Sequence, residues 1–338
     1  MTVRLAIVGF RHAHMYDLYR RAQDSEGIRI VAACEEDPAV RQDLQSEGTV
    51  QVSHSSYEQM LDTVDCDAVA VGDYFARRGE LILKALSRGK HVISDKPICT
   101  NLAELDKIEE VASARGLRVG CMLDMRDSAP FIAARNLVRQ GAIGEVHAIS
   151  FDGQHPLLLG KRPQWFFEPG KHGGTINDIA VHAIDIIPWI TGLCFSVVTA
   201  AQCWNAFATD YPHFQCGGQM MLTMDNGCGV LGDVSYFAPN GSGYVLPFYW
   251  RMTFWGRHGV LATSINATET VLALDGESGT RTVPLPAPNP GGYLRSFLRD
   301  IEGRVGEGEL CTEQVLRAAR VALTVQRVAD QNACRVPL

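Results

Sequence analysis

The hydrophobic pattern of the first 122 residues alternates between two periods. Short apolar runs are separated by segments with helical spacing, which is typical of parallel strands joined by crossover helices. This half therefore predicts a doubly wound parallel sheet. The predicted strands are Val3 to Gly9, Ile28 to Glu35, Ala68 to Gly72, His91 to Ser94 and Leu117 to Cys121; the predicted helices are Ala13 to Asp24, Pro38 to Glu47, Arg77 to Arg88 and Leu102 to Arg115, the last capped by Thr100 or Asn101.

The pattern changes after a helix predicted near Pro130 to Gln140. Residues 144 to 283 carry longer strand segments separated by Gly/Asn turns, which predicts an antiparallel or mixed sheet. A single helix, Ile176 to Thr191, interrupts these strands. The predicted strands are Glu145 to Phe151, Gln219 to Met224, Cys228 to Ser235, Val245 to Trp255 and Thr270 to Leu274; a Pro284 to Pro290 loop then leads to helices at Tyr293 to Val305 and Thr312 to Gln331.

Length and charge restrict the possible partners. A chain of 338 residues predicts about two domains. Lys and Arg number 31 against 38 Asp and Glu, a net charge of −7 with no basic run, which argues against nucleic acid and anionic membranes. No apolar stretch is long enough for a membrane span, and no signal sequence is recognised. Ten scattered cysteines without a CxxC pair indicate reduced thiols in a cytoplasmic protein.

The turn after the first strand is the first candidate site. A dinucleotide-binding turn has the pattern GxGxxG, but only Gly9 is present, and Arg11 and His14 occupy the second and third glycine positions. Two interpretations remain open. Arg11 and His12 contact a phosphate at the helix N-terminus, or the cofactor is held differently or not at all.

An acidic residue after the second strand favours a dinucleotide. Glu35 lies 35 − 14 = 21 residues beyond the last motif position, close to the offset at which an acid binds the adenosine ribose. Glu36 follows it and would repel a 2′-phosphate, so NAD is favoured over NADP. The alternative is an acidic loop that caps a helix.

Two further segments carry candidate chemistry. Lys96 and Pro97 follow the fourth strand, at the carboxyl edge where ligands bind such sheets, and Pro97 keeps Lys96 extended. In the predicted helix that begins near Ile176, Asp178, His182 and Asp185 share one face. That face is interpreted as lining a wet cleft, the alternative being a core histidine with a capping acid. No metal site is expected, because Asp178 and His182 lack a clear third ligand.

These motifs resemble those of the Gfo/Idh/MocA oxidoreductases. Lys96-Pro97 is similar to that family's Glu-Lys-Pro motif, and Gly173 to Asp185 is similar to its Gly-Gly-x-x-x-Asp-x-x-x-His-x-x-Asp helix. Residues 142–146 also resemble the stretch that leads into the family's second sheet. The resemblance implies a Rossmann domain followed by a domain with a large open sheet, which often forms the oligomer contact in relatives. It implies a catalytic lysine at Lys96 and the helix acid and histidine at Asp178 and His182.

The sequence departs from the family at three places. The glycine loop is incomplete, Asp95 replaces a glutamate, and residues 72–75 replace a Thr-Pro-Asn turn that lies beside the nicotinamide ribose in relatives. The residues predicted to bind the cofactor are Gly9, Phe10, Arg11, His12, Glu35, Gly72, Asp73 and Lys96.

The predicted fold class is α/β. It combines an N-terminal Rossmann doubly wound parallel sheet, residues 1–122, with a C-terminal α+β domain, residues 123–338, built on a large open, mostly antiparallel sheet. The first domain would bind the dinucleotide. The second would bind substrate and form a homodimer or homotetramer through its sheet.

The predicted function is reversible hydride transfer between NAD and a secondary alcohol of a sugar or polyol. His182 is the preferred base because an unperturbed histidine has a pKa of about 6.5. Lys96 would stabilise the alkoxide or share the base role, and Asp178 would orient one of them. This hypothesis requires that Lys96 and His182 converge in one crevice. Asp178 and His182 would also contact the substrate, together with Arg126, His155, Arg162 and Trp165.

Two alternatives come from other classes. One is a ligand-binding or regulatory protein that keeps the fold without hydride transfer, suggested by Arg11 and His14. The other is redox-neutral chemistry, in which tightly held NAD oxidises a sugar transiently so that elimination or hydrolysis proceeds. A serine hydrolase is disfavoured by the lack of a GxSxG elbow, and Cys99 has no recognisable histidine partner.

Overall fold

The computed structural model describes residues 2–338, which fall into two compact units. The first unit extends to Met122 and also includes Gly170–Gly173 and Tyr293–Ala319. The second unit consists of Leu123–Pro169, Gly174–Gly292 and Arg320–Leu338. The assignment of cofactor binding to residues 1–122 and substrate binding to residues 123–338 stays a prediction.

A five-stranded parallel sheet forms the centre of the first unit. Its spatial order is β2-β1-β3-β4-β5, so the order of strand addition reverses between β1 and β3. Ligands bind open α/β sheets at such a switch point, outside the carboxyl ends of the strands. The predicted doubly wound sheet is confirmed. The strands are β1 (Val3–Val8), β2 (Ile28–Cys34), β3 (Ala68–Val71), β4 (His91–Ser94) and β5 (Val119–Cys121).

Five helices connect these strands, and three of them have side-chain N-caps, one of which is Ser56, whose hydroxyl accepts from the Gln59 N–H. The Asn101 side chain accepts a hydrogen bond of 2.9 Å from the Glu104 N–H. Of the two caps predicted for the helix that begins at Leu102, Thr100 or Asn101, the structure therefore confirms Asn101. Asp37 caps the helix after β2 and accepts bonds from two backbone N–H groups. The helices are α1 (His14–Gln23), α2 (Pro38–Glu47), α3 (Tyr57–Thr63), α4 (Phe75–Ser87) and α5 (Leu102–Arg115); α3 was not predicted.

A nine-stranded sheet forms the second unit. Its order is β13-β12-β11-β10-β6-β9-β8-β7-β14, and every neighbouring pair is antiparallel except β6 with β9. The predicted large, mostly antiparallel sheet is confirmed. The strands are β6 (Val146–Pro156), β7 (Phe195–Trp204), β8 (Gly217–Met224), β9 (Gly229–Ala238), β10 (Met252–Gly256), β11 (Gly259–Thr263), β12 (Glu269–Leu274), β13 (Arg281–Pro284) and β14 (Cys334–Pro337).

The remaining helices differ slightly from the prediction. The predicted helix over residues 176–191 begins with a π-helical turn, Ile176–Ala180, and continues as α7 (Val181–Thr191). The others are α6 (Ala129–Arg139), α8 (Gly292–Ile301) and α9 (Thr312–Gln331). Within residues 2–338, no helix has the combined length and apolarity of a membrane span.

The prediction of a strand from Val245 to Trp255 was wrong in its first half. Residues 245–251 are not extended strand, because a 3-10 turn covers Gly243–Val245 and Trp250 has a φ of +53°. Only Met252–Gly256 of that segment pairs in the sheet. A residue with positive φ cannot continue a β-ladder, and the indole of Trp250 turns into the core instead.

One face of the nine-stranded sheet is open in the described chain. Burial alternates along β8 and β9, as expected when one face packs against the core and the other meets solvent. Several large apolar side chains on its strands are exposed; Met221, Leu231 and Trp255 are 49%, 56% and 54% accessible.

Candidate active site

Two glycines allow the loops after β1 and β3 to approach each other. Gly9 has a φ of +79°, and a Cβ there would lie 2.6 Å from the Asp73 nitrogen. A Cβ on Gly72 would lie 2.2 Å from the Gly9 oxygen and 2.5 Å from Cγ of Met15 in α1. Gly72 therefore allows the close packing of helix on strand that the motif's third glycine normally provides.

Glu35 orders the loop after β1 from a fully buried position. Its Oε2 accepts a 2.7 Å bond from the Phe10 N–H, and its Oε1 accepts a 2.8 Å bond from the Asp37 N–H. Burial raises the pKa of this carboxyl, and the two N–H donors oppose that rise. The contact of Glu35 with a ribose stays a prediction. Asp37 is a nearby, partly exposed acid that was not among the predicted cofactor residues. Glu36 binds Arg77 and the Tyr57 N–H.

Arg11, at the second glycine position, is held by carboxylates. Its Nη2 lies 3.2 Å from Oδ2 of Asp37, and its Nε lies 3.4 Å from Oδ1 of Asp73. The guanidinium also lies over the Tyr74 ring, 5.4 Å from the centroid. Asp73 forms a second ion pair, at 2.8 Å, with Arg77. The Arg11 side chain therefore has defined protein contacts at the switch point.

The two histidines of the loop contact Asp95. Nδ1 of His12 lies 2.7 Å from Oδ2, and Nδ1 of His14 lies 2.9 Å from Oδ1. Asp95 and Arg78 are fully buried and form an ion pair of 2.6 Å. Burial alone would raise the pKa of Asp95, but Arg78 and the histidines hold it well below its usual range. Burial lowers the pKa of His12 to about 4, so its ring is neutral near pH 7.

Lys96 is anchored by the same buried ion pair. Its N–H donates to Oδ1 of Asp95 at 2.7 Å, and its carbonyl accepts a 2.5 Å bond from Arg78. The peptide bond between Lys96 and Pro97 is cis. The Lys96 side chain is buried at the carboxyl end of β4.

In the second unit, Gln326 of α9 fixes the start of the Asp178 helix. Its Oε1 accepts bonds of 2.9 and 3.3 Å from the N–H groups of Ile176 and Asn177. A Cβ at Gly174, where φ is +99°, would lie 2.2 Å from Cδ of Gln326. The glycine turn therefore leaves room for a side-chain cap from a distant helix.

Asp178 forms a buried hydrogen bond that the sequence did not indicate. Its Oδ2 accepts from the hydroxyl of Tyr236, a residue of β9 that is 1% exposed. Burial and the charge of Asp178 raise the pKa of Tyr236 well above its usual value. The hydroxyl therefore stays protonated and remains a donor to the carboxylate throughout the physiological range.

His182 lies four residues further along and packs against Trp250. The two rings are edge to face with centroids 5.7 Å apart, and the imidazole is 6% exposed. A Cβ at Gly153 would lie 2.6 Å from the Trp250 ring, so this glycine of β6 admits the indole.

Two predicted substrate residues lie close to Tyr236. The ring of His155 is 6.3 Å from that of Tyr236, and its Nε2 is 3.2 Å from the Tyr249 hydroxyl. The Arg162 guanidinium lies over the rings of Phe166 and Tyr236, at 4.5 and 5.4 Å. His155, Arg162 and Asp178 therefore share one neighbour, Tyr236, although they are distant in sequence.

The other two predicted substrate residues have packing contacts. Arg126 forms two hydrogen bonds, 2.8 and 2.6 Å, with the buried carboxylate of Asp185. Trp165 is 6% exposed and contacts the Phe166 ring at 5.5 Å. Their contact with a substrate stays a prediction.

Comparison with known families supports the motifs. A model described as the oxidoreductase family with an NAD-binding Rossmann fold matches residues 3–122, and one described as the GFO/IDH/MocA C-terminal domain matches residues 131–262. The chain belongs to the Gfo/Idh/MocA oxidoreductase family. The resemblance seen in the sequence is thereby confirmed.

Individual relatives are distant. An inositol 2-dehydrogenase from Saccharopolyspora erythraea is 27% identical over 249 residues, which cover 72% of this chain and 69% of that protein. A 1,5-anhydro-D-fructose reductase from Ensifer adhaerens is 30% identical over 147 residues, 43% of this chain and 44% of that protein. The alignments span 39%, 52% and 44% of the lengths of the first three curated relatives.

A solved structure shows the same fold over the whole chain. It is that of an inositol dehydrogenase homologue from Azotobacter vinelandii complexed with NAD⁺, with a TM-score of 0.83 and 16% identity. The alignment covers 100% of this chain and 98% of that one.

The cofactor of this Gfo/Idh/MocA protein is NAD. The observed backbone fits a dinucleotide, because Gly9 has positive φ at the switch point and acidic side chains follow β2. The cofactor residues predicted from sequence, other than Glu35 and Lys96, lie on the loops after β1 and β3. Their individual contacts with NAD stay predictions.

Proposed function

We propose that this protein catalyses reversible hydride transfer between NAD and a secondary alcohol of a sugar or polyol. The observation that carries the proposal is the pair on one helical segment, with a buried Asp178 carboxylate bonded to Tyr236 and His182 one turn further on. Relatives named inositol 2-dehydrogenase and 1,5-anhydro-D-fructose reductase support the substrate class.

His182 is the proposed base. When bound, NAD supplies the hydride acceptor. The hydroxyl proton must leave as the carbinol C–H bond breaks, and the imidazole accepts that proton. Lys96 stabilises the developing alkoxide or shares the base role. Asp178 orients one of the two while Tyr236 holds its carboxylate.

The substrate ring is proposed to lie against the aromatic side chains near Tyr236. Aromatic faces bind the apolar face of a sugar, and donors around them bind its hydroxyls. His155 and Arg162 are the proposed donors. Arg126 and Trp165 retain the predicted contact with substrate in this proposal, although both have internal partners.

A homodimer or homotetramer through the open sheet is also proposed. Met221, Leu231 and Trp255 are exposed on that face. Single exposed apolar residues are normal on a protein surface, whereas several on one face are typical of an interaction site. A cytoplasmic location is proposed as well, because none of the ten cysteines within residues 2–338 forms a disulfide bond, and nine of them are buried or partly buried.

Steady-state kinetics of Lys96→Ala and His182→Ala with NAD and a panel of sugars and polyols test the mechanism. We expect kcat to fall by about a hundredfold or more in both variants. Unchanged turnover in both would remove the mechanism. Turnover of substrate without net change in NADH absorbance would instead favour the redox-neutral alternative.

A further inference from the structure

The loop after β1 binds a dinucleotide in this family, yet two positions that are normally glycine carry large side chains. Glycine at these positions allows the backbone to approach the diphosphate and the helix to pack on the sheet. Arg11 and His14 therefore introduce side chains at the carboxyl edge where the cofactor lies. Both side chains are held by ion pairs or hydrogen bonds. Arg11 is paired with Asp37 and Asp73, and His14 with Asp95.

Asp95 is a rigid acceptor. It is fully buried, and each of its carboxylate oxygens has a fixed donor: the Lys96 N–H at 2.7 Å on Oδ1 and Arg78 at 2.6 Å on Oδ2. Arg78 is itself bonded to the carbonyls of Asp73 at 3.2 Å and Pro97 at 3.1 Å. The carboxylate therefore cannot follow a moving histidine, and the histidine must take the position that the carboxylate sets.

The His14 side chain contributes little to the packed core. The side chain of His14 is 41% exposed, so it fills no core volume. Its Nδ1 reaches from the first residue of α1 to the end of β4, although β3 lies between β1 and β4 in the sheet. The side chain therefore lies across the carboxyl edge of the sheet.

A metal ion is the competing explanation for this cluster. Among residues 2–338, His12, His14 and Asp95 offer three ligand atoms within 4.8 Å of one another. However, Arg78 already compensates the carboxylate charge, and a cation on Oδ2 would lie beside a buried guanidinium. The contacts of His12 and His14 with the ionised carboxylate of Asp95 account for this geometry without a metal ion.

We propose that Asp95 is a positioning residue that tethers His14, the side chain at the third glycine position, away from the path of NAD. Cofactor binding then requires either no side chain at position 14 or a tethered one. An apolar side chain of similar size, which cannot bond to Asp95, is free to enter the space of the cofactor.

Fluorescence titration of the purified proteins with NADH distinguishes these cases without any substrate. We expect His14→Gly to keep the wild-type Kd within about threefold and His14→Leu to weaken it by about tenfold or more. Asp95→Asn should weaken binding similarly in the wild type, but by less than about threefold in the His14→Gly protein. His147→Leu, an exposed change on β6, is the control and should leave the Kd unchanged.

A purely structural role predicts the opposite order. Leucine is a better helix former than glycine, so stability of α1 alone would make His14→Gly the more damaged protein. Thermal unfolding of each variant separates the two effects. The proposal is overturned if His14→Leu binds NADH as well as His14→Gly, if Asp95→Asn has the same effect in both backgrounds, or if added Zn²⁺ tightens NADH binding in the wild type but not in His14→Gly.

Discussion

At the scale of single residues, Asp178 and Asp95 are each bonded to a side chain that lies far away in the sequence. Lys96 and Asp178 were recognisable because each belongs to a local motif. Tyr236 was not, because its hydroxyl meets Asp178 across 58 residues of chain and no local spacing encodes that contact. The same reason hid the contact of Asp95 with His14, which joins residues 81 apart.

The Tyr236 hydroxyl gives the first residue-scale prediction. Tyr236→Phe removes a donor from a buried carboxylate, which should lower the free energy of unfolding by about 1 to 3 kcal/mol. If Asp178 has the proposed orienting role, kcat should also fall by about tenfold or more. Because the hydroxyl remains protonated, the ratio of wild-type to variant kcat should be constant between about pH 6 and pH 9. Urea unfolding and pH-rate profiles measure both effects, and a wild-type kcat in the variant would contradict the role.

His12 gives a pH-dependent prediction for stability. Its pKa falls from 6.5 to about 4 on folding, so between these values the unfolded chain binds a proton that the folded protein does not. The free energy of unfolding should therefore decrease as the pH falls through this window, by up to about 3 kcal/mol. The His12→Asn variant lacks this group and should show a shallower dependence in urea titrations from pH 7 to about pH 4.5. Parallel slopes for the two proteins would show that His12 does not titrate in this way.

At the scale of helices and strands, periodicity predicted the first unit well because its strands are mostly apolar and buried. The second unit was predicted less completely. β13 and β14 are four residues each with mostly exposed side chains, so they lack an apolar signal. The Val245 to Trp255 segment has apolar composition, but the positive φ of Trp250 breaks the strand, and composition does not reveal a dihedral angle.

Packing of α8 on β5 gives an element-scale prediction. Gly120 of β5 faces Phe297 of α8, and a Cβ there would lie 2.7 Å from the ring. Gly120→Ala should therefore destabilise the protein by about 1 to 3 kcal/mol through overpacking. Gly229→Ala is the matched control, because within residues 2–338 no heavy atom beyond Gly229 and its two chain neighbours lies within 4 Å of the Cβ position, and it should change stability by less than about 0.5 kcal/mol. Equal losses of unfolding free energy in the two variants would be inconsistent with this packing.

At the scale of the whole molecule, the open sheet is the feature with a testable consequence. The sequence predicted association through this sheet from its family resemblance, and this association stays a proposal; several large apolar residues on the sheet are exposed. Which residues face outward could not be predicted, because strand register in a nine-stranded sheet depends on pairings far apart in the chain.

Leu231→Glu tests the association. The variant places a charge at a 56% exposed position of β9, and light scattering after size exclusion should show a dimer or tetramer for the wild type and a smaller species for the variant. Val245→Glu, at a 74% exposed position outside the sheet, should leave the mass unchanged. A monomeric wild type would contradict the proposed assembly.

The central claim is that hydride passes between a carbinol carbon and NAD with the help of Lys96 and His182. Its most direct measurement is single-turnover mass spectrometry with polyols and sugars deuterated at the carbinol carbon, inositol among them. We expect deuterium to appear in NADH with the wild type, and its transfer to slow by about a hundredfold in Lys96→Ala and in His182→Ala while both variants still bind NADH. No deuterium in NADH from any substrate, or undiminished transfer in both variants, would contradict the account.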